Sequence, residues 1–377
     1  MQFSPGARRH GLLNVCYRIM GGLGANLRPV RMQRVKKPIN YPTTILFSED
    51  HARFASRWLT RMLIGLGFIS NPGTVRAWGF MAHRYINESA VYLLPQPLLG
   101  YMLPYKDVLR DRAVGADQRR AWDPQEAARH FIDLDQWGDS VFHCMPMNWV
   151  DAIRCYHEDS LREHGVLPWH TVTVYRRLVN AFAQGDAGAV SRHAADLGHY
   201  LADAHVPLHL CSNYNGQFSG QHGIHALLES RIPEYFMDQM LWTFQRPRWI
   251  PDVRVSIWDI IRESSAPLAS VFACERSCRT SVPRSWQFSP IQQGSRLVRK
   301  ESKEFVKCYD QCLGGLMGQR LSASIHHVAS WWWSAWIEAG QPAGLRAKPL
   351  VTTDESPALD SWLRNPLLGQ SKESCEE

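Results

Sequence analysis

The chain has 377 residues, 45% of them hydrophobic, and a formal net charge of +7. That suffices for a sizeable core in one large or two ordinary domains, and no run of eighteen apolar residues exists to span a membrane as a helix. The charge is unevenly placed: residues 1–77 carry 12 Lys+Arg against 2 Asp+Glu, so the rest is net −3, which excludes a general basic footprint for nucleic acid on the body.

Residues 1–61 show no sustained hydrophobic period. They read as a basic leader or as sequence upstream of the true translation start. Residues 62–77 read as a signal peptide. Arg57 and Arg61 precede the apolar run Met62–Ile69, a helix-breaking "NPG" follows, and Val75, Arg76 and Ala77 offer a cleavage site before Trp78. A buried core segment is the rival reading. Cysteine usage agrees with export to a secreted or periplasmic location: eight cysteines follow Trp78, and "CERSC" and "CYDQC" share a spacing of four. On helices each pair lies on one face, so two helices could be stapled by two disulfides. A four-thiolate metal site is the alternative, and spacing alone does not give the connectivity.

From Trp78 to 342 the pattern is mostly helical, which predicts an all-α fold. "AHRYINESAVYLL" repeats apolar residues at helical spacing and stops before Pro95. "LPYKDVLRDRAV" predicts a second helix. "DPQEAARHF" predicts a third, with Asp123 as cap and Pro124 in its first turn. "PWHTVTVYRRLVNAFAQG" closes on Gly185, and "DAGAVSRHAADLGHYLADAHVP" ends at Pro207. "NYNGQFSGQHG" is a loop. "IHALLESRIPEYFMDQML" predicts a helix kinked near Pro233. "IWDIIRESSAPLASVF" and the stretch from "RKESKEF" to "WIEAG" complete the set. Trp331–Trp333 point in different directions on a helix, so at least two belong to the core. Residues 343–377 are rich in proline and polar side chains and read as a surface tail.

The chemistry concentrates between Leu197 and Leu210. His199 and Asp203 are four apart on a helix and share a face. His225 and Glu229 repeat that spacing on another helix. His209 follows the turn at Pro207. His205 lies six from His199, faces elsewhere and reads as structural. Imidazole and carboxylate in this arrangement suit Zn²⁺. The alternative is helix-surface polarity plus satisfied core histidines. Asp117, His130 and His83 are further candidates. If cleavage frees Trp78, its α-amine titrates near 7.7–8.0 and deprotonates readily on a metal.

Together "WGFMAHRYIN", "ADQRR", "RHFIDLD", "GHYLADAHVPLH" and "IHALLE" closely resemble the zinc-dependent phospholipase C and S1/P1 nuclease superfamily. "HHVASWWWSAWIEAGQP" resembles the closing helix of a bacterial phospholipase C-like branch. The resemblance implies a secreted multi-helix bundle with a trinuclear zinc cleft. The amine and carbonyl of Trp78, with His83, would hold one zinc, and Asp203 would bridge it to a second. Asp117, His130 and His199 would complete the second, and His209, His225 and Glu229 the third. Glu229 matches the phospholipase C members, whereas nuclease members carry Asp there. The short gap from Trp78 to His83 looks more like the nucleases. Arg120 matches an arginine of the nuclease members, with Arg119 as the neighbouring alternative; either could clamp a phosphate oxygen.

The implied activity is hydrolysis of phosphoric ester bonds by a hydroxide shared between two zinc ions about 3.5 Å apart. Asp203, Asp117 and Arg120 are the expected catalytic residues. The ligand histidines need partners for their second ring nitrogen, and Asp133, Asp135 and Asp196 are candidates, with simple surface or capping roles as the equal alternative. The expected substrate is a small phosphoester or a phospholipid headgroup, with peripheral membrane contact. Nucleic acid enters only as an alternative substrate, for a single-strand nuclease or nucleotidase. No stable protein partner is implied. A non-catalytic zinc-stabilised secreted binding protein is the rival of a different class.

Overall fold

The computed structural model describes residues 79–293 and 296–342. The leader, the signal-peptide segment, Trp78 and the tail 343–377 lie outside the described residues. Within them the all-helical expectation holds, with one addition: Phe288–Gln293 (β1) and Arg296–Glu301 (β2) form an antiparallel hairpin with Phe288 opposite Glu301. Arg299, Lys300 and Glu301, read from sequence as the start of a helix, belong to this hairpin.

The site is carried by helices near the centre. Helix α1 (Phe80–Leu93) buries Ala82, Ile86 and Ala90 at helical spacing and ends before Pro95. Short helices α2 (Lys106–Arg112) and α3 (Gly115–Arg119) follow. Helix α4 (Leu167–Gln184) starts with Pro168 in its first turn and stops at Gly185, whose φ of 67° a residue with a Cβ adopts only under strain. Asp186 caps α5 (Ala187–Ala204) by accepting the Ala189 N–H at 2.9 Å. Helix α5 packs against α1, α2 and α4. It buries Leu197, Tyr200 and Leu201 alongside His199 and Asp203, so apolar packing fixes the backbone that presents two polar groups inward.

Asn87 sets how closely α1 and α5 approach. Its side-chain amide donates to the carbonyls of Leu109 and Ala195, at 3.2 and 3.1 Å. A Cβ on Gly198 would lie 1.9 Å from the Asn87 side-chain oxygen. The missing side chain at 198 therefore admits Asn87, and one turn earlier on α1 His83 stacks on His199 with ring centroids 4.0 Å apart.

Several predicted helices are shorter or divided. "DPQEAARHF" gives only a 3₁₀ turn over Ala127–His130. The backbone beyond it is drawn away: the Ile132 N–H donates to the His209 carbonyl at 2.9 Å, and the Phe131 carbonyl accepts from Leu167. "IWDIIRESSAPLASVF" splits before Pro267 into α6 (Val253–Ser265) and α7 (Leu268–Ser281). Gly314 and Gly315, at φ 61° and 80°, separate α8 (Lys303–Cys312) from α9 (Leu316–Glu338). On α9, Trp331 and Trp332 are fully buried and Trp333 partly so, as the helical spacing predicts.

The cysteine spacing resolves into a staple between α7 and α8. Cys274 bonds Cys312 and Cys278 bonds Cys308, with Cα separations of 5.6 and 6.0 Å. That consumes all four sulfurs of the alternative thiolate metal site and fits an oxidising compartment. No helix among the described residues is long and apolar enough to cross a membrane. Closing a loop of 38 residues constrains the unfolded chain by about 4 kcal/mol. Reduction of both bridges is expected to lower the unfolding free energy by about that amount, read from the urea midpoint. An unchanged midpoint would contradict the staple.

Candidate metal centre

Three short segments bring the polar residues of the distant helices together. Helix α5 ends one residue before His205, and Pro207 starts a 3₁₀ turn that carries His209 back beside residues 130–132. Gly223, at φ 90°, opens the helical turn that carries His225. The chain then widens into a π-helical turn over Leu227–Arg231, which holds Glu229 inward; such turns recur at functional sites. The helix predicted across Pro233 is divided here, with this π-helical turn followed by a short helix over Ile232–Phe236 that carries Pro233 in its first turn.

Three buried groups result, each with ligand atoms within 4.8 Å of one another: His83, His199 and Asp203; Asp117, His130 and His199; His209, His225 and Glu229. Asp203 is the hub. Its Oδ2 lies 2.8 Å from His130 Nδ1 and 3.3 Å from His199 Nε2. Its Oδ1 lies 3.4 Å from His83 Nε2 and 4.0 Å from His209 Nδ1. The two oxygens of one carboxylate thus face different groups. Asp117 Oδ1 approaches His130 and His199 at 3.9 and 4.0 Å. Glu229 contacts His225, and its other oxygen lies 3.5 Å from His209 Nε2. Every sequence-predicted ligand among the described residues falls in one of the three groups. His199 differs from expectation in joining two of them.

The donor set fits cations. Both ring nitrogens of His83 and His225, both oxygens of Asp117, Asp203 Oδ1 and His209 Nε2 are buried without a hydrogen-bond partner among the described residues. Each such group costs on the order of 1–3 kcal/mol if left unsatisfied. His199 Nδ1 donates to the Ala113 carbonyl at 2.7 Å and His209 Nδ1 to the His130 carbonyl at 2.5 Å. In the neutral rings those bonds leave Nε2 of each as a lone pair aimed into the cluster. Lone pairs and carboxylate oxygens that face one another need positive charge between them.

In the metal-free protein, protons supply that charge. Burial works against a charged His199, but Asp203 and Asp117 outweigh it and hold the ring up to about 9. Burial is likewise overcome at His209 by Asp203 and Glu229, again to about 9. Burial, then the neighbouring His199, lowers His83. At pH 7 a divalent cation must therefore displace protons from His199 and His209, and its affinity rises as pH climbs from 7 towards 9. Zinc titrated into metal-free protein at pH 7 is expected to release protons. The apparent binding enthalpy will then differ between buffers of different ionisation enthalpy; equal heats would contradict the assignment.

Around the cluster, several expectations need correction. Asp133 faces His164 at 3.6 Å, Asp135 accepts the Ser212 N–H at 2.9 Å, and Asp196 accepts from Arg119 at 3.0 Å. None of the three touches a ligand histidine. Backbone carbonyls serve His199 and His209, while His130 Nε2 makes no hydrogen bond among the described residues and faces Glu126, a fully buried carboxylate whose Oε1 lies 3.5 Å away. Burial opposes its charge, but His130, Arg119 and Tyr200 prevail and hold it well below the usual carboxylate range. The signal was present in "EAARH": Glu126 and His130 are four apart, as are His199 and Asp203. His205 is structural as expected, with Nδ1 donating to the Leu201 carbonyl at 2.7 Å and Nε2 2.9 Å from His327 Nδ1. Arg119 is committed to Glu126, Asp196 and Tyr200, whereas Arg120 is partly exposed with Nη1 3.8 Å from Asp117 Oδ1. No protein-family model matches the chain, and no curated protein matches it.

Proposed function

We propose that the chain is an exported, zinc-dependent hydrolase of phosphoric ester bonds with phospholipase C-like action. The observation that carries this reading is the divided Asp203 carboxylate, one oxygen toward His83 and the other toward His130 and His199, with a third ligand group beside it. Zinc bound by these residues would supply Lewis acidity and make hydroxide available near neutral pH. His83 and Asp203, with the amine of Trp78, would hold one ion. Asp117, His130, His199 and Asp203 would hold the second, and His209, His225 and Glu229 the third. All-nitrogen and oxygen donors at buried, closed positions suit zinc better than the larger, oxygen-seeking Ca²⁺.

The remaining roles belong to the chain. Asp117, whose carboxylate oxygens make no hydrogen bond among the described residues, orients the attacking water and takes its proton. Arg120 stands at the edge of this group with a third of its side chain exposed, and clamps a nonbridging phosphoryl oxygen. Arg119 is tied into buried ion pairs and does not serve that role. The two disulfides support an extracellular or periplasmic setting.

A substrate panel with metal content measured in parallel tests the reading. A chromogenic phosphodiester is expected to be hydrolysed, to resist hydrolysis after chelation, and to regain it with zinc. Phosphatidylcholine is expected to yield a phosphorylated headgroup. Cleavage of single-stranded DNA, RNA or nucleotide monophosphates without lipid cleavage would replace this reading with the nuclease one. No hydrolysis by fully metal-loaded protein would leave a zinc-stabilised binding protein.

A further inference from the structure

On the far side of His130 from Asp203 lies a closed polar network. Glu126 Oε1 accepts from the Tyr200 hydroxyl. Its Oε2 accepts from Arg119 Nε at 3.3 Å and from Arg129 Nη1 at 2.5 Å. Arg119 is itself fixed to Asp196 and to the Tyr200 oxygen, and Arg129 to Asp123. The carboxylate is thus clamped by α3, by α5 and by its own turn. Tyr200 follows His199 on α5 and meets the His130 ring edge-on, with centroids 5.5 Å apart. The network therefore joins His130 to the helix that presents His199 and Asp203.

His130 is the only ligand histidine among the described residues whose outward nitrogen faces a carboxylate outside the three groups: Nε2 lies 3.5 Å from Glu126 Oε1, an ion-pair distance without a hydrogen bond, while Nδ1 lies 2.8 Å from Asp203 Oδ2. His199 and His209 use backbone carbonyls for the same purpose. Its inward atom is Nδ1, not the Nε2 that His199 presents. A histidine offers Nδ1 as a ligand only when its proton sits on Nε2. We propose that Glu126 is a positioning residue that holds the His130 proton on Nε2 and so presents Nδ1 to Asp117, His199 and Asp203. This role rests on the metal-centre reading. The two arginines are part of the device: both donate to Oε2, which fixes the carboxylate with Oε1 toward Tyr200 and His130.

Glu126→Gln separates this from simple packing. The volume is kept, but the arginines claim the single amide oxygen and turn the NH₂ toward His130 Nε2. An NH₂ there donates, favours the proton on Nδ1 and closes that nitrogen to a metal. With Zn²⁺ alone as probe, one of three sites in E126Q is expected to weaken about 10–100-fold, and the Co²⁺-loaded variant to show an altered ligand-field spectrum. Folded E126Q with three sites of wild-type affinity and an unchanged Co²⁺ spectrum would overturn the role. Should E126Q not fold, the zinc-loaded wild-type chain decides. Histidine ¹⁵N spectra are expected to show His130 protonated on Nε2, and coordination through Nε2 would overturn the proposal. Wild-type protein that binds no zinc would instead overturn the metal centre itself, and this role with it.

Discussion

Asp203→Ala is expected to lose at least two metal ions and to reduce phosphoester hydrolysis by more than about 10³-fold. The carboxylate is fully buried and stands within 4.0 Å of four imidazoles, so no neighbouring group can take its place. Without it, His83 loses its only acidic neighbour among the described ion pairs, His199 keeps only the more distant Asp117, and the inward nitrogen of His130 likewise keeps only Asp117. Asp203→Asn keeps the volume and an acceptor oxygen but cannot carry charge to two cations, so it is expected to fail in the same way. Metal analysis of both purified variants, with circular dichroism to verify folding, checks this. Folded variants with unchanged metal content would refute the shared carboxylate.

Protein that begins one residue before Trp78 is expected to lose one metal ion and on the order of 10²–10³ in turnover. The resemblance assigns the free amine of Trp78 to the group containing His83 and Asp203. An added residue turns that amine into an amide N–H, which has no lone pair to offer. The neighbouring backbone is tightly placed: the Gly79 N–H donates to the Glu229 carbonyl at 3.0 Å, and a Cβ on Gly79 would meet the Ser230 hydroxyl at 2.8 Å. Gly79 is thus pinned to the turn that carries a ligand of another group, which leaves little freedom to accommodate an extension. Terminal sequencing of exported protein should read Trp-Gly-Phe. Full activity with three metals from an extended chain would break the link between cleavage and the centre.

The ligand groups were legible because helical spacing is local. His199 with Asp203 and His225 with Glu229 share faces by sequence alone, and the structure keeps both pairs together. The disulfide staple was legible in the paired spacing of Cys274, Cys278, Cys308 and Cys312, while the pairing itself needed the packing of two helices. What stayed hidden depends on backbone direction. The carbonyls of Ala113 and His130 become histidine partners only after distant segments meet, and no side-chain pattern marks them. Asp133, Asp135 and Asp196 misled because nearness in sequence to a ligand does not set which way a carboxylate points. Glu126 is legible in part, since it stands four before His130, but its burial under Tyr200 and Arg119 depends on contacts with distant helices that no local spacing marks. The β-hairpin escaped notice because Phe288–Glu301 alternates too weakly to stand out against its polar neighbours.

Anomalous diffraction on either side of the zinc absorption edge, from crystals of chelator-free protein that begins at Trp78, tests the shared centre most directly. Three peaks are predicted, two flanking the Asp203 carboxylate and one among His209, His225 and Glu229. A lone peak, peaks remote from Asp203, or none at all would contradict it.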